Sequence, residues 1–499
     1  MAMIARRLGF SVLLLERGRH PRVVIGESST PLSNLLLEEL SARYDLPAVR
    51  PLSKWGSWQQ SYPDLACGLK RGFTFYHHTL GVETDIIHDR KNQLLVAASP
   101  HDAIADTHWY RADFDHFLVR EAQRIGVIYL DEMKLSNLAE DSECVILQGQ
   151  HHTKPAQFQA KFVIDATGPR GFLHQVLGLG EKALPDLPPT QALFSHFRGV
   201  KRLDEIGSAS EFPPYPIDDA AVHHVFNGGW IWILRFNNGI TSAGVAVTRE
   251  AANHLNLQEG APAWNRLLQQ LPAVQKQFTS AESILPFTYI QKLGFRSEAV
   301  AGTRWALLPS AAGFVDPLLS TGFPLTLLGV TRLAEILERD WNSNRWMGSL
   351  AAYASKTDRE LIATSQLIGA LYANMDKFPV FTSISLLYFA AASFSETVRR
   401  LGKPHLAKSF LLHDDPNFGP ASAHILEQAK NIRSPQEAHT LHAEVMRTIE
   451  AFNIAGLGDE SRQNWYPVNA EDLLRSAHKT GASHQDIQLL LQRCGFAAG

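Results

Sequence analysis

Apolar residues recur along this chain in two rhythms, and the change from one to the other divides it. Up to about residue 340, short apolar or alternating runs typical of strands are interleaved with helical spacings; beyond Leu337 only helical periodicity remains. Residues 2–8 read as the end of a helix stopped by Gly9, and residues 11–15 as a short buried strand ending on Glu16. A polar loop, residues 26–31, precedes a helical pattern over 32–40. Residues 69–78, rich in aromatic and β-branched side chains, predict one strand with Lys70, Thr74 and Tyr76 on one face and Phe73, Phe75 and His77 on the other. Residues 109–127 predict a loop and a helix with Phe114, Phe117, Leu118 and Ala122 inward, and 162–164 a further strand. From about 180 to 295 aromatic strands alternate with Pro-rich loops; Asn237-Asn238-Gly239 is a hairpin signal, and Trp230, Trp232, Leu234 and Phe236 share a face. Residues 305–308 form the last predicted strand, ahead of a helix through Leu333, Ile336 and Leu337. The remainder is expected to be helical to its end, with periodic runs at 361–371, 386–401 and 441–452.

Composition narrows the class without deciding the chemistry. The chain has 499 residues, 45% hydrophobic and 19% charged, with a formal net charge of −3. That length supports two or three domains, and the balance of charge gives no reason to expect a nucleic-acid partner. Cys67, Cys144 and Cys494 lie far apart and form neither a metal pattern nor a disulfide framework, which fits a reducing, cytoplasmic setting. The paired histidines at 77–78, 151–152 and 223–224 alternate across strands, so neither member can join its neighbour on one metal; they are read as packing or surface residues and no metal is expected. The charge-free stretch 378–394 contains Pro and several Ser/Thr and is short for a membrane span; it is read as a buried helix, with no stable membrane insertion. The N-terminal apolar run ends in Glu16-Arg17 and lacks the small-residue cleavage site of a signal peptide.

Chemistry is concentrated in a few stretches. At residues 313–328, GFVDPLLSTGFPLTLL, Asp316-Pro317 stops one element and Ser320-Thr321-Gly322 places two hydroxyls and a flexible backbone at a helix start, where unpaired N–H groups favour an anionic or electron-rich group. The helix, Gly9, strand and Glu16 are the back half of a dinucleotide-binding βαβ unit, in which a strand-end acid accepts from ribose hydroxyls. No first strand and no Gly-x-Gly-x-x-Gly turn accompany it; the expectation is an N-terminally truncated unit with weakened cofactor affinity. Further along stand Gly26-Glu27-Ser28, Arg111 ahead of a helix, and an apolar strand ending in Asp165-Ala166-Thr167-Gly168, where Gly168 can adopt positive φ.

Together these stretches resemble the flavin-dependent halogenases and FAD-dependent aromatic monooxygenases. The resemblance covers residues 1 to about 340 by motif and the rest by architecture. It implies an α/β (α+β) fold with a Rossmann-like FAD-binding domain, a substrate-binding β-sheet and a helical C-terminal region. FAD-binding segments would occupy 1–60, 101–180 and 296–340; the substrate sheet 61–100 and 181–295; and the helical region 341–499. Glu16, Glu27, Ser28, Arg111, Asp165, Gly168, Asp316, Pro317, Ser320, Thr321 and Gly322 would contact FAD, with halide held near Thr321 and Gly322. Lys70 would be catalytic, positioning hypohalous acid between flavin and substrate, and Trp230 and Trp232 would line the substrate site. The halogenase pattern continues Trp-x-Trp-x-Ile-Pro; here Leu234 and Arg235 follow the tryptophans, a departure that weakens the halogenase reading specifically. Implied partners are a small aromatic or pyrrole-type substrate, free or carrier-tethered, a halide ion and a separate flavin reductase. Hydroxylation by a monooxygenase, reduction of isoprenoid or lipid chains on the same fold, and a flavin-free binding module or decayed copy remain open alternatives.

Overall fold

The computed structural model describes residues 1–207 and 211–496. Two short parallel ribbons organise the first layer. Leu13–Leu15 pairs with Ile128–Leu130, and Val163–Asp165 pairs with Trp305–Leu307. A candidate acid, Glu16 or Asp165, stands at the C-terminal end of one strand in each ribbon, where α/β folds collect ligand groups. Helix Gly322–Arg339 packs against Pro31–Arg43 and Trp346–Tyr372. Thr30 starts Pro31–Arg43 through a reciprocal capping box with Ser33, and Pro31 takes the first helical turn, where its missing N–H costs nothing.

The second layer is a nine-stranded sheet. Its path runs Glu282–Ser283, Thr190–Arg198, Thr241–Thr248, Gly229–Arg235, Ala221–Phe226, Gly72–His78, Gln93–Ala97 and Trp465–Tyr466, with Thr288–Ile290 also pairing to Thr190–Arg198. The expected turn at Asn237-Asn238-Gly239 joins Gly229–Arg235 to Thr241–Thr248, and Gly239 holds φ +76° there. Both faces of the sheet are buried. Phe73, Phe75, Trp230 and Trp232 face the core that also holds helix Phe378–Arg400, while Tyr76, Ile231 and Ile233 face a second core capped by Trp264 and Leu267. Burial on both sides explains why these strands read as nearly continuous apolar runs instead of a clean alternation.

Three sequence expectations change in the structure. The single strand over 69–78 is two: Cys67–Lys70 pairs with Asp106–Trp109, and Gly72–His78 joins the large sheet. Arg71 makes the break. Its guanidinium is tied to Asp102 and to the carbonyls of Ser99 and Pro100, and its N–H donates to Asp219 O. Gly72 follows because a Cβ there would lie 2.3 Å from Val96 O. The break turns Lys70 onto the side of Phe73, with Nζ 3.8 Å from that ring's centroid, where strict alternation put them on opposite faces. Second, the C-terminal region is not helical throughout. Trp465–Tyr466 adds a parallel edge strand to Gln93–Ala97, held by Trp465 Nε1 donating to Gln93 Oε1 (2.7 Å) and by Arg90 stacked 3.7 Å over the indole. Third, the buried helix is longer than the charge-free stretch. Phe378–Arg400 is apolar enough to pass for a membrane span by composition, but 83% of its most apolar window is buried inside the fold.

Candidate active site

Lys70 is fully buried, and its surroundings account for two of its three donors. Nζ donates to Ser28 Oγ (2.8 Å) and to Ser29 O (2.5 Å), leaving one N–H. The Phe73 ring beneath it supplies a cation–π contact. Asp106 is the Cα partner of Lys70 across the two-stranded ribbon. Burial lowers the pKa of Lys70, opposed by the charge of Asp106; burial likewise raises Asp106, opposed by Lys70 and the hydrogen bond from Asn34. The lysine is thus a buried, oriented amine whose charged form burial disfavours and Asp106 supports.

The loop that supplies Ser28 and Ser29 is fixed from both ends. Arg111 forks onto Asp115 (2.7 and 2.8 Å) and donates to the carbonyls of Ile25 and Gly26, so it anchors the loop. Gly26 holds φ +89° beside that guanidinium. Glu27 turns inward: its Oε1 is 2.8 Å from His196 Nε2 of the large sheet, and both side chains are buried. Glu27 therefore ties the loop to the sheet, and Ser28 is the member of this stretch that reaches Lys70.

The other candidate cofactor residues organise turns. Asp165 accepts from Thr167 N and Oγ1 and from Leu173 N, closing the turn in which Gly168 sits at φ +84°; a Cβ on Gly168 would meet no heavy atom within 4 Å. Glu16 accepts from Gly18 N (2.7 Å) and pairs with Arg22 (3.1 Å) at the end of its strand. Asp316 is buried; Oδ1 accepts from Leu318 N and Oδ2 from Tyr372 OH, and burial pushes its pKa up to about 7. After Pro317 the chain turns through Leu319 (φ +62°) and Ser320 (φ +54°) into Thr321 and helix Gly322–Arg339. A Cβ on Gly322 would meet nothing within 4 Å, so open space borders the helix start. Free backbone faces at Gly168 and Gly322, with an acid at the end of each ribbon, fit a dinucleotide cofactor whose edges approach main chain.

Beside Phe73 and Asp106 lies a cavity of about 640 Å³, walled also by Leu32, Leu35, Pro324, Tyr388 and Phe389 on its inner side and by Tyr466, Leu490 and Phe496 of the C-terminal region. Trp230 and Trp232, expected to line a substrate site, are packed away from it. Trp230 Nε1 donates to Tyr372 OH (3.2 Å) and Trp232 Nε1 to Ser242 Oγ (3.3 Å), both inside the core. Arg235, which stands where the pattern has proline, is committed to Asp218 and to the carbonyls of Val200 and Lys201. The aromatic wall comes instead from Phe73, Tyr388 and Phe389. Tyr388 and Phe389 lie in a helical run with no motif to mark them, and Asp106 and Asn34 carry no sequence signal either. Of the paired histidines, His78 and His224 bond to one another at 2.9 Å, and no cluster of three or more His, Cys, Asp or Glu fit for a metal occurs among the described residues.

A model of the tryptophan halogenase family matches residues 88–378. The tetracycline 7-halogenase of Kitasatospora aureofaciens is 27% identical over 409 residues, 79% of this chain and 71% of that protein. Monodechloroaminopyrrolnitrin halogenase PrnC of Pseudomonas fluorescens is 27% identical over 373 residues, 72% of this chain; the chain spans 63% of PrnC. Among solved structures, halogenase PltM in complex with phloroglucinol and FAD superposes with a TM-score of 0.80 at 23% identity, over 93% of this chain and 96% of PltM, a likeness of fold. Since the family match takes in more than half of the residues, and the fold is shared nearly end to end, the chain belongs to the tryptophan halogenase family.

Proposed function

We propose that this family member is an FAD-dependent halogenase acting on an electron-rich aromatic or pyrrole-type small molecule, free or carrier-tethered. Relatives named for tetracycline, for monodechloroaminopyrrolnitrin and for a pyrrolyl carrier protein support that range. Bound FAD, reduced by a separate reductase, would supply with dioxygen the two-electron oxidant for halide. The observation that carries the reading is Lys70: a buried amine with one uncommitted N–H, held by the Gly26–Ser29 loop and seated on Phe73, itself part of the cavity wall.

The chain's own residues then have definite tasks. Thr321 and Gly322, at the open helix start, hold halide through backbone N–H groups. Lys70 holds the resulting hypohalous acid by its remaining N–H and polarises the halogen–oxygen bond. Ring carbon attacks halogen; the carbon–halogen bond forms, the halogen–oxygen bond breaks, and the hydroxide leaves as water with the displaced ring proton. Phe73, Tyr388 and Phe389 exclude bulk water, which would otherwise consume the oxidant.

Incubation of the protein with reduced FAD, bromide and a panel of phenols, indoles and pyrroles tests the reading by mass spectrometry. Brominated product is expected from the wild-type chain, with a fall on the order of 100-fold or more in Lys70→Met while flavin binding persists. Products that gain one oxygen and never a halogen would reassign the chain to hydroxylation.

A further inference from the structure

The cavity wall carries a buried carboxyl oxygen that neither a hydrogen bond nor an ion pair satisfies among the described residues. Asp106 lies on strand Asp106–Trp109, is 5% exposed, and forms part of the cavity wall. Its Oδ1 accepts from Asn34 Nδ2 at 2.8 Å, and the same amide donates to Ser29 Oγ at 3.0 Å, so Asn34 is itself fixed and locks the carboxyl in one orientation. Oδ2 has no hydrogen-bond partner among the described residues. Lys70 does not supply one: two of its donors go to Ser28 and Ser29, and among the described residues it forms no ion pair with Asp106 within 4.0 Å. Beside Asp106 in the wall stand Phe73, Val96, Pro324, Tyr388 and Phe389, and the Tyr388 hydroxyl is spent on Leu319 O. A buried carboxyl oxygen without a donor is unfavourable, and a ligand that brings a donor relieves it.

We infer that Asp106 recognises the ring that enters this cavity, accepting a hydrogen bond from a ring O–H or N–H through Oδ2. Recognition itself stands without the halogenase reading; only the chemistry done on the bound ring rests on it. A site built around a buried polar group rejects the analogue lacking its partner far more strongly than an apolar slot rejects a missing methylene. The cavity is accordingly selective for hydroxylated arenes and N–H heteroarenes over their O-methyl and N-methyl counterparts. The same hydrogen bond pulls electron density towards the ring and orients it relative to Lys70, one strand away in the ribbon.

The test is calorimetric binding to the full chain of two matched pairs, 2-naphthol with 2-methoxynaphthalene and indole with 1-methylindole. The wild-type protein is expected to bind each donor-bearing ring at least about 10-fold more tightly than its methylated partner. Asp106→Asn is expected to erase that preference, and Asn34→Ala, which keeps the carboxyl but unlocks it, to weaken binding while retaining the preference. Thermal midpoints report whether each variant folds; should Asp106→Asn fail to fold, the wild-type comparison still decides. Equal wild-type affinities within each pair, no binding of any of the four rings, or an unchanged preference in a folded Asp106→Asn would overturn the assignment. Bromide turnover is read separately: selective binding without any brominated product would keep Asp106 as the recognition residue and remove the halogenase reading.

Discussion

Asp316 shows how a single buried carboxyl links the loop before helix Gly322–Arg339 to pH. Its pKa in the folded chain is raised to about 7 from the ordinary 3.8, because burial disfavours the charged form. The folded state therefore binds its proton more tightly than the unfolded one. Stability from this group is fully present below about pH 4 and is lost as pH rises towards about 7, by up to about 4 kcal/mol. Asp316→Asn keeps an acceptor for Leu318 N but cannot ionise. Thermal midpoints measured between pH 5 and 8 should thus fall with pH in the wild-type chain and take a flatter course in the variant; parallel courses would show that Asp316 titrates normally. At the same scale lies the clearest gap between sequence and structure. Gly168 is legible because its motif marks a backbone need, the positive φ the structure has. Asp106 and Asn34 are not, because their meaning arises only when a strand and a helix 72 residues apart meet in a 2.8 Å hydrogen bond.

Among elements, the informative contact is between helix Phe378–Arg400 and the turn at 318–320. Tyr388 donates to Leu319 O at 2.9 Å, and Leu319 and Ser320 both sit at positive φ, a conformation that non-glycine residues adopt at a cost. The helix thereby holds the turn that precedes Thr321 and Gly322. Tyr388→Phe keeps the aromatic wall and removes only that restraint. Bromide KM should rise about fivefold, corresponding to the ~1 kcal/mol of one hydrogen bond, with 2-naphthol affinity unchanged. A shift in naphthol affinity instead would place the hydroxyl in ring binding. The pattern of the chain predicts this helix as buried, and buried it is. It misplaces Lys70 relative to Phe73, because alternation assumes an unbroken strand and Arg71 breaks it through partners at 99, 100 and 102 that no local period encodes. Trp465–Tyr466 is missed for a related reason: two residues carry no periodicity, and their strand arises from distant pairing with Leu95 and Val96 and from Gln93 and Arg90 around the Trp465 indole.

Across the whole molecule, the cavity is a joint product. Its inner wall draws on the large sheet, the ribbon and helices Pro31–Arg43 and Phe378–Arg400, and its outer wall on residues 454–496. Deleting residues 458–499 should lower 2-naphthol affinity by more than about 10-fold while leaving flavin binding in place, measured by calorimetry and by flavin fluorescence on the same preparation. Loss of both would mean that the two regions fold as one unit.

The break at Arg71 has a consequence for how such a protein can change over time. Lys70 ends one strand and Gly72 begins another, and the lysine is positioned by Ser28, Ser29 and Phe73, none of which belongs to the C-terminal region. Substitutions in residues 454–496 can reshape the outer wall without touching the contacts of Lys70. The outer wall and the contacts of Lys70 are encoded on separate stretches of sequence, so drift in the tail can alter the one while the other stays put.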